Sequence, residues 1–276
     1  MKKTILITGA SSGIGRGTAL YFAAKGWNVA ATMRTPENEV DLGLVEGIKL
    51  FRLDVTKPET IRQAIDETIN TFGALDVVVN NAGYGGVGVF EAASPEQIQR
   101  QFDTNVFGVM NVIREVLPYF REHRRGTIVN VTSVGGLITF PIYSVYHATK
   151  WAVEGFAEAL QYELRPFNIR IKNIEPGAIK TDFYDRSQDL FKKDGLTEYD
   201  SYAQVTLANA QKVGQDAPGP HVVAKKIYQA ATSSNYRLRY AAGPQAPALL
   251  VLRWLLPLCW FRGIVRMVVE KGYRSK

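Results

Sequence analysis

Cysteine is nearly absent: the 276 residues hold one, Cys259. A single thiol excludes an intrachain disulfide and a thiolate metal cluster. Histidine is almost as scarce. His123, His147 and His221 stand far apart with no ligand-like spacing, so no metal site is expected. The chain lacks internal repeats, low-complexity tracts and any linker to a second domain. Lys2-Lys3 precede only Ile5-Leu6-Ile7 before Thr8-Gly9, too short for the apolar core of a signal peptide. A cytoplasmic location is therefore expected. Charge is modest, 21% of residues against 46% hydrophobic, which excludes disorder and supplies a sizeable core.

The net charge of +7 is concentrated at one end. From Arg237 to Lys276 there are eight Lys/Arg and one acid, Glu270, while the preceding residues balance at 25 against 25. A nucleic-acid binder would spread its basic residues over a face of the fold, so no nucleic-acid partner is expected.

What is present is an alternation. Short apolar runs at Thr4–Thr8, Asn28–Met33, Ile48–Leu53, Leu75–Val79, Thr127–Thr132 and Ile169–Ile174 have the look of buried parallel strands. Helical patterns lie between them, including Pro58–Phe72, a long stretch from Pro95 to about Glu122, and Ser144 to about Arg165. A further helix is expected over His221–Thr232 and a last strand over Arg237–Ala241. This is the signature of an α/β fold with a doubly wound parallel sheet, whose ligands lie beyond the carboxyl ends of the strands.

The first strand runs into Gly9-Ala10-Ser11-Ser12-Gly13-Ile14-Gly15, and a helix follows. Glycines let the backbone approach a pyrophosphate, and the helix start offers unpaired N–H groups to it. In this fold an acid at the end of the second strand takes a ribose 2′-hydroxyl, whereas an Arg accommodates a 2′-phosphate. Here the strand ends in Thr32-Met33-Arg34, and no acid occurs before Glu37. Arg34 therefore favours a phosphorylated dinucleotide.

Tyr146 and Lys150 are four apart in a helical pattern, so they project from one face. A phenol titrates near pH ~10, and an ammonium within roughly 4–6 Å lowers that by one to three units. Such a Tyr can exchange a proton with an alcohol oxygen near neutral pH. Ser133, at the end of the fifth strand, offers a hydroxyl to the same oxygen.

Residues 182–220 are polar, aromatic and weakly periodic, which suggests a lid or binding segment over the substrate. Residues 1–245 are expected to form one catalytic domain, and residues 246–276 an apolar, basic helical extension of it. The longest charge-free stretch of that extension, Trp254–Phe261, is broken by Pro257 and cannot span a bilayer. Three readings fit it: helices packed on the body as a pocket wall, a peripheral membrane contact, or a subunit interface.

The combined set is Thr8-Gly-Ala-Ser-Ser-Gly-Ile-Gly15, Asp54, Asn80-Asn-Ala-Gly83, Asn105, Ser133, Tyr146-x-x-x-Lys150 and Pro176-Gly177. It resembles the short-chain dehydrogenase/reductase family over roughly residues 3–181. The resemblance implies a Rossmann-type sheet of about seven strands in the order 3-2-1-4-5-6-7, binding NADP(H) or NAD(H). The cofactor site so implied runs through Gly9, Ser11, Ser12, Gly13, Ile14, Gly15, Arg34, Asp54, Val55, Asn81, Ala82, Gly83, Tyr146, Lys150, Pro176, Gly177 and Thr181. It also implies a tetrad. Tyr146 is the acid in reduction and the base in oxidation, and Lys150 tunes it and holds the nicotinamide ribose. Ser133 orients the carbonyl, and Asn105 holds a water linking Lys150 to solvent.

Members that prefer NADP often carry a basic residue where Ser12 stands, so the preference for NADP(H) over NAD(H) rests on Arg34. The expected activity is that of a carbonyl reductase or alcohol dehydrogenase on a ketone or secondary alcohol. The tail resembles extensions of members that act on lipophilic substrates. An NAD-dependent alcohol dehydrogenase of the same family and a non-catalytic dinucleotide-binding regulator are the alternatives. The resemblance further implies a homodimer or homotetramer formed through the long helices that start near Pro95 and Ser144.

Overall fold

The computed structural model describes residues 2–181 and 188–273. Strand β1 (Thr4–Ile7) is buried along its whole length and feeds helix α1 (Gly13–Ala24). Next come β2 (Asn28–Met33), β3 (Ile48–Arg52), α2 (Pro58–Phe72) and β4 (Val77–Asn80). Pro58 opens α2 with its fixed φ, and Gly73 closes it at φ 83°, a left-handed cap that suits glycine.

A three-residue strand β5 (Gly85–Val87) precedes α3 (Pro95–Phe102), which opens on a capping box between Ser94 and Gln97. Then follow α4 (Gly108–Glu122), β6 (Gly126–Val131), α5 (Ser144–Leu164) and β7 (Ile169–Pro176). The C-terminal third holds β8 (Gln188–Leu190), α6 (Asp200–Gln215), α7 (His221–Thr232), β9 (Arg239–Ala242), α8 (Ala246–Leu255) and α9 (Leu258–Val269).

Seven strands form one parallel sheet in the order β3-β2-β1-β4-β6-β7-β9. With the two short strands set aside, this is the expected order 3-2-1-4-5-6-7. The sheet has apolar layers on both faces. One holds Ile5, Phe22, Val29, Val79, Val223 and Ile227; the other holds Leu6, Ile61, Val78, Val112, Ile128 and Val153. Central strands buried on both sides account for the unbroken apolar runs in the sequence. The strand order reverses between β1 and β4, and the crevice at that switch point holds the site.

Three departures from the sequence reading have physical causes. The expected long helical region from Pro95 to about Glu122 contains a π-helical turn, Asp103–Phe107, in which Asn105 lies. The glycine-rich loop after β4 includes β5, paired in parallel with β8. Glycine lowers strand propensity, but here it makes room: a Cβ on Gly86 would collide with the Phe191 ring and Gln101. Residues 200–215, expected to be irregular, form the two-sided α6, of which only Thr206 and Gly214 are buried. A helix with so little buried face leaves a weak periodic trace in sequence. The expected lid also includes residues 182–187, which lie outside the described residues.

Candidate active site

A cavity of about 860 Å³ opens at the carboxyl ends of β1, β4, β6 and β7. Its lining includes Gly9, Ser11, Ser12, Gly13, Ile14, Arg34, Asp54, Val55, Asn81, Ala82, Gly83, Ser133, Tyr146, Lys150, Pro176, Gly177 and Thr181. Residues drawn from distant parts of the chain are thus brought to one crevice. Two of the expected residues, Gly15 and Asn105, sit behind the wall instead.

The turn after β1 is built for close approach. Gly9 has φ 66°, and a Cβ there would stand 2.9 Å from the Ala82 backbone. A Cβ on Gly15 would strike the Gly9 carbonyl and come within 2.6 Å of Asn81 Nδ2. Asn81 fastens the turn by donating from Nδ2 to the carbonyls of Thr8 and Gly9, each at 3.0 Å. Helix α1 begins with no acid in its first turn, and Ser12 makes no side-chain cap. Its first N–H groups and positive dipole end therefore face the cavity, which fits a pyrophosphate.

On the rim, Arg34 is exposed and its carbonyl accepts Arg52 Nη1 at 2.9 Å. Arg52 also grips both oxygens of Glu37, at 2.9 and 3.0 Å. The first acid after β2 is thereby turned to a guanidinium and is not among the cavity-lining residues. Asp54 faces the cavity with Oδ1 accepting the N–H of Thr56 at 3.0 Å and its hydroxyl at 2.8 Å. The residues present therefore fit a dinucleotide, with an arginine rather than a carboxylate where the second strand ends.

Helix α5 carries the chemical pair. Lys150 Nζ lies 5.7 Å from the centre of the Tyr146 ring and donates to the Val131 carbonyl at 3.0 Å. Burial pushes the Lys150 ammonium down to about 8, and the Glu154 carboxylate one turn further along α5 opposes the shift. Ser133 Oγ accepts the N–H of Gly135 at 3.0 Å, which leaves its own O–H to donate into the cavity.

Asn105 is buried in the π-turn. Its Nδ2 donates to Tyr84 O at 2.8 Å and to Thr149 Oγ1 at 3.2 Å, and its Oδ1 accepts the Tyr84 N–H at 3.1 Å. Thr149 in turn donates to the carbonyl of Tyr146 at 2.7 Å. Asn105 thus braces α5 and the strand-end loop from behind.

Sequence reasoning missed His147. It is buried beside Tyr146, its Nε2 accepts the Phe140 N–H at 2.9 Å, and its Nδ1 bonds the Gly135 carbonyl at 2.8 Å. Burial pulls its pKa below the ordinary value. A histidine without a sequence partner gives no signal, because both of its partners are backbone groups. The tail wall, with Ala246, Leu249, Phe261 and Val265, was legible only as one of three options.

A buried polar ladder crosses the neighbouring strands β4, β6 and β7. Asn80 donates to Asn130 at 2.9 Å, Asn130 to Asn173 at 3.1 Å, and Asn173 to Glu154 at 2.9 Å. Arg239 Nε binds Glu154 at 3.0 Å and lies 3.6 Å from Glu175. Burial, followed by the neighbouring Glu154, pushes the Glu175 carboxyl up to about 8.

The chain matches the short chain dehydrogenase family over residues 3–190. It is 37% identical over 275 residues to the uncharacterized oxidoreductase YusZ of Bacillus subtilis, covering 96% of this chain and 98% of that one. It is 36% identical over 247 residues to a 3-ketodihydrosphingosine reductase of Bacteroides thetaiotaomicron, covering 89% of each. The structure of ElxO with NADP bound superposes with a TM-score of 0.74 at 28% identity, covering 90% of this chain and 100% of that one.

Proposed function

This chain belongs to the short-chain dehydrogenase family of oxidoreductases, and on that premise we propose that it is an NADP(H)-dependent carbonyl reductase/alcohol dehydrogenase. The substrate is a lipophilic ketone or the matching secondary alcohol. The observation that carries this reading is the convergence of Tyr146, Lys150 and Ser133 on one cavity beside an open helix N-terminus. Arg34 on the rim, with Glu37 occupied by Arg52, supports the 2′-phosphate form of the cofactor.

A nicotinamide cofactor bound here would supply or accept the hydride. Gly9, Gly13 and the start of α1 would hold its pyrophosphate. Asp54 and Val55 would border the adenine, and Pro176, Gly177 and Thr181 would flank the nicotinamide. In reduction, Ser133 donates a hydrogen bond to the carbonyl oxygen and fixes its orientation. Tyr146 gives its phenolic proton to that oxygen as charge develops there, and takes it back in oxidation. Lys150, when protonated, stabilises the phenolate left on Tyr146. Asn105 keeps α5 and the strand-end loop in register through its bonds to Tyr84 and Thr149.

The pocket wall supports the substrate class. Leu249, Phe261, Val265 and Val213 present an apolar surface with few polar groups. The related 3-ketodihydrosphingosine reductase carries a long-chain keto lipid in its name. Exposed Phe107, Trp151 and Tyr162 on or beside α4 and α5 support a homo-oligomer through those helices. The test is a ketone series of rising chain length assayed with NADPH and with NADH. kcat/KM should climb with chain length and favour NADPH. A preference for short polar ketones, or for NADH, contradicts the assignment.

A further inference from the structure

Helices α8 and α9 do two things at once. Along α9, Phe261, Val265 and Val268 recur at helical spacing and line the cavity. On the adjoining stripe stand Trp260, Ile264 and Met267, with Trp260 67% and Met267 75% exposed. Val251, Trp254 and Leu255 on α8 and Leu258 at the start of α9 are exposed as well, Trp254 at 83%. Surfaces of monomeric soluble proteins scatter such residues singly. Here they are concentrated in two successive helices. Arg262 and Arg266 occupy the opposite flank of α9, one turn apart.

We propose that this face docks on the anionic headgroup surface of a lipid bilayer. Trp254, Trp260 and Met267 insert beneath the headgroups, Lys271 lies against the phosphates, and the long Arg262 side chain reaches them from the opposite flank of α9. A strongly apolar face flanked by basic residues is the build of an interfacial helix. No described helix is long and apolar enough to cross a membrane, so the contact is with the surface.

The rival occupant is a second copy of the chain. Residues 246–276 hold six Lys/Arg and a single acid, Glu270. That acid is already engaged by Arg266 at 3.0 Å and by the Tyr202 hydroxyl at 3.1 Å. A contact between two such faces sets cations against cations with no carboxylate to spare. Lipid phosphates supply the missing sign.

The docking face is continuous with the cavity. Ile264 and Val268 line the cavity and are also exposed, so the cavity's tail wall merges into the apolar patch. A lipophilic substrate can then pass from the bilayer into the site without crossing water. This second step rests on the proposed reaction; the docking does not.

The test is flotation of the full-length protein with vesicles of phosphatidylcholine alone or mixed with phosphatidylglycerol. NADPH binding is measured in parallel to report the state of the site. Wild type should float with the anionic vesicles and lose at least about tenfold in affinity when salt is raised. The exposed double variants Trp254→Ser/Trp260→Ser and Arg262→Glu/Lys271→Glu should each weaken flotation by a similar factor while binding NADPH normally. Absence of flotation with anionic vesicles overturns the proposal. So does equal flotation of wild type and both variants. A protein that sediments as a dimer, and becomes monomeric on Trp254→Ser/Trp260→Ser, assigns the face to a second copy instead. Loss of NADPH binding by wild type would count against the proposed reaction and leave the docking result to stand by itself.

Discussion

His147 accepts the backbone N–H of Phe140 on Nε2 at 2.9 Å, so its own proton sits on Nδ1, where Gly135 O receives it at 2.8 Å. One neutral imidazole thus ties Gly135 to Phe140 within the loop that carries Ser133. His147→Ala leaves the buried groups unpaired, at a cost of about 1–3 kcal/mol. We expect kcat/KM to fall about 10- to 100-fold, because Ser133 loses its fixed position. The pH response has a definite sign. Burial holds the His147 pKa below 6.5, so as pH drops beneath that value the unfolded chain takes up a proton the native state refuses. Thermal melts should show stability lost below pH 6.5 in wild type and a smaller loss in His147→Gln.

Glu175 works in the other direction. Its carboxyl is pushed from an ordinary 4.5 up to about 8, so across that window the native state holds a proton that the unfolded chain has released. Stability therefore declines as pH rises from 4.5 to about 8 and levels off beyond. Glu175→Gln, which is neutral throughout, should remove roughly 2–4 kcal/mol of that decline. Denaturant melts between pH 6.5 and 8 isolate the effect, since His147 no longer contributes there.

Gly15 sits where a Cβ meets Gly9 O and Asn81 Nδ2. Gly15→Ala must push apart the turn that Asn81 holds closed. Dinucleotide affinity, measured by fluorescence titration, should weaken at least about tenfold, equivalent to about 1.4 kcal/mol. Gly155, with open space around its Cβ position, is the control that should tolerate alanine.

These residues also show how far the sequence could be read. The strands, the glycine turn and the Tyr146/Lys150 pair were legible because each depends on local pattern: apolar runs, a strand-turn-helix, and a four-residue helical spacing. The order of the strands in the sheet came through the family resemblance. His147 was not, since it acts through two backbone groups. Asn105 was known only through family resemblance, and its π-turn has no local sequence cue. The pairing of Gly85–Val87 with Gln188–Leu190 was hidden because three of the four residues from Gly85 to Gly88 are glycine. The long contacts that make this sheet stable, with Phe191 over Gly86, join residues about a hundred positions apart.

Arg34 is the sole basic lining residue contributed by the end of β2. Arg34→Ala should raise KM for NADPH about 10- to 100-fold and change that for NADH little, because only the former carries the 2′-phosphate. Steady-state kinetics with both donors checks this. Equal effects on the two would show that Arg34 does not read the phosphate.

The proton on Tyr146 is the centre of the account. Mixing the NADPH complex of Tyr146→Phe with a long-chain ketone in a stopped-flow spectrometer reports single-turnover oxidation of the nicotinamide directly. The account predicts a rate about 10²- to 10⁴-fold below wild type with NADPH affinity unchanged. A near wild-type rate in that variant would contradict it.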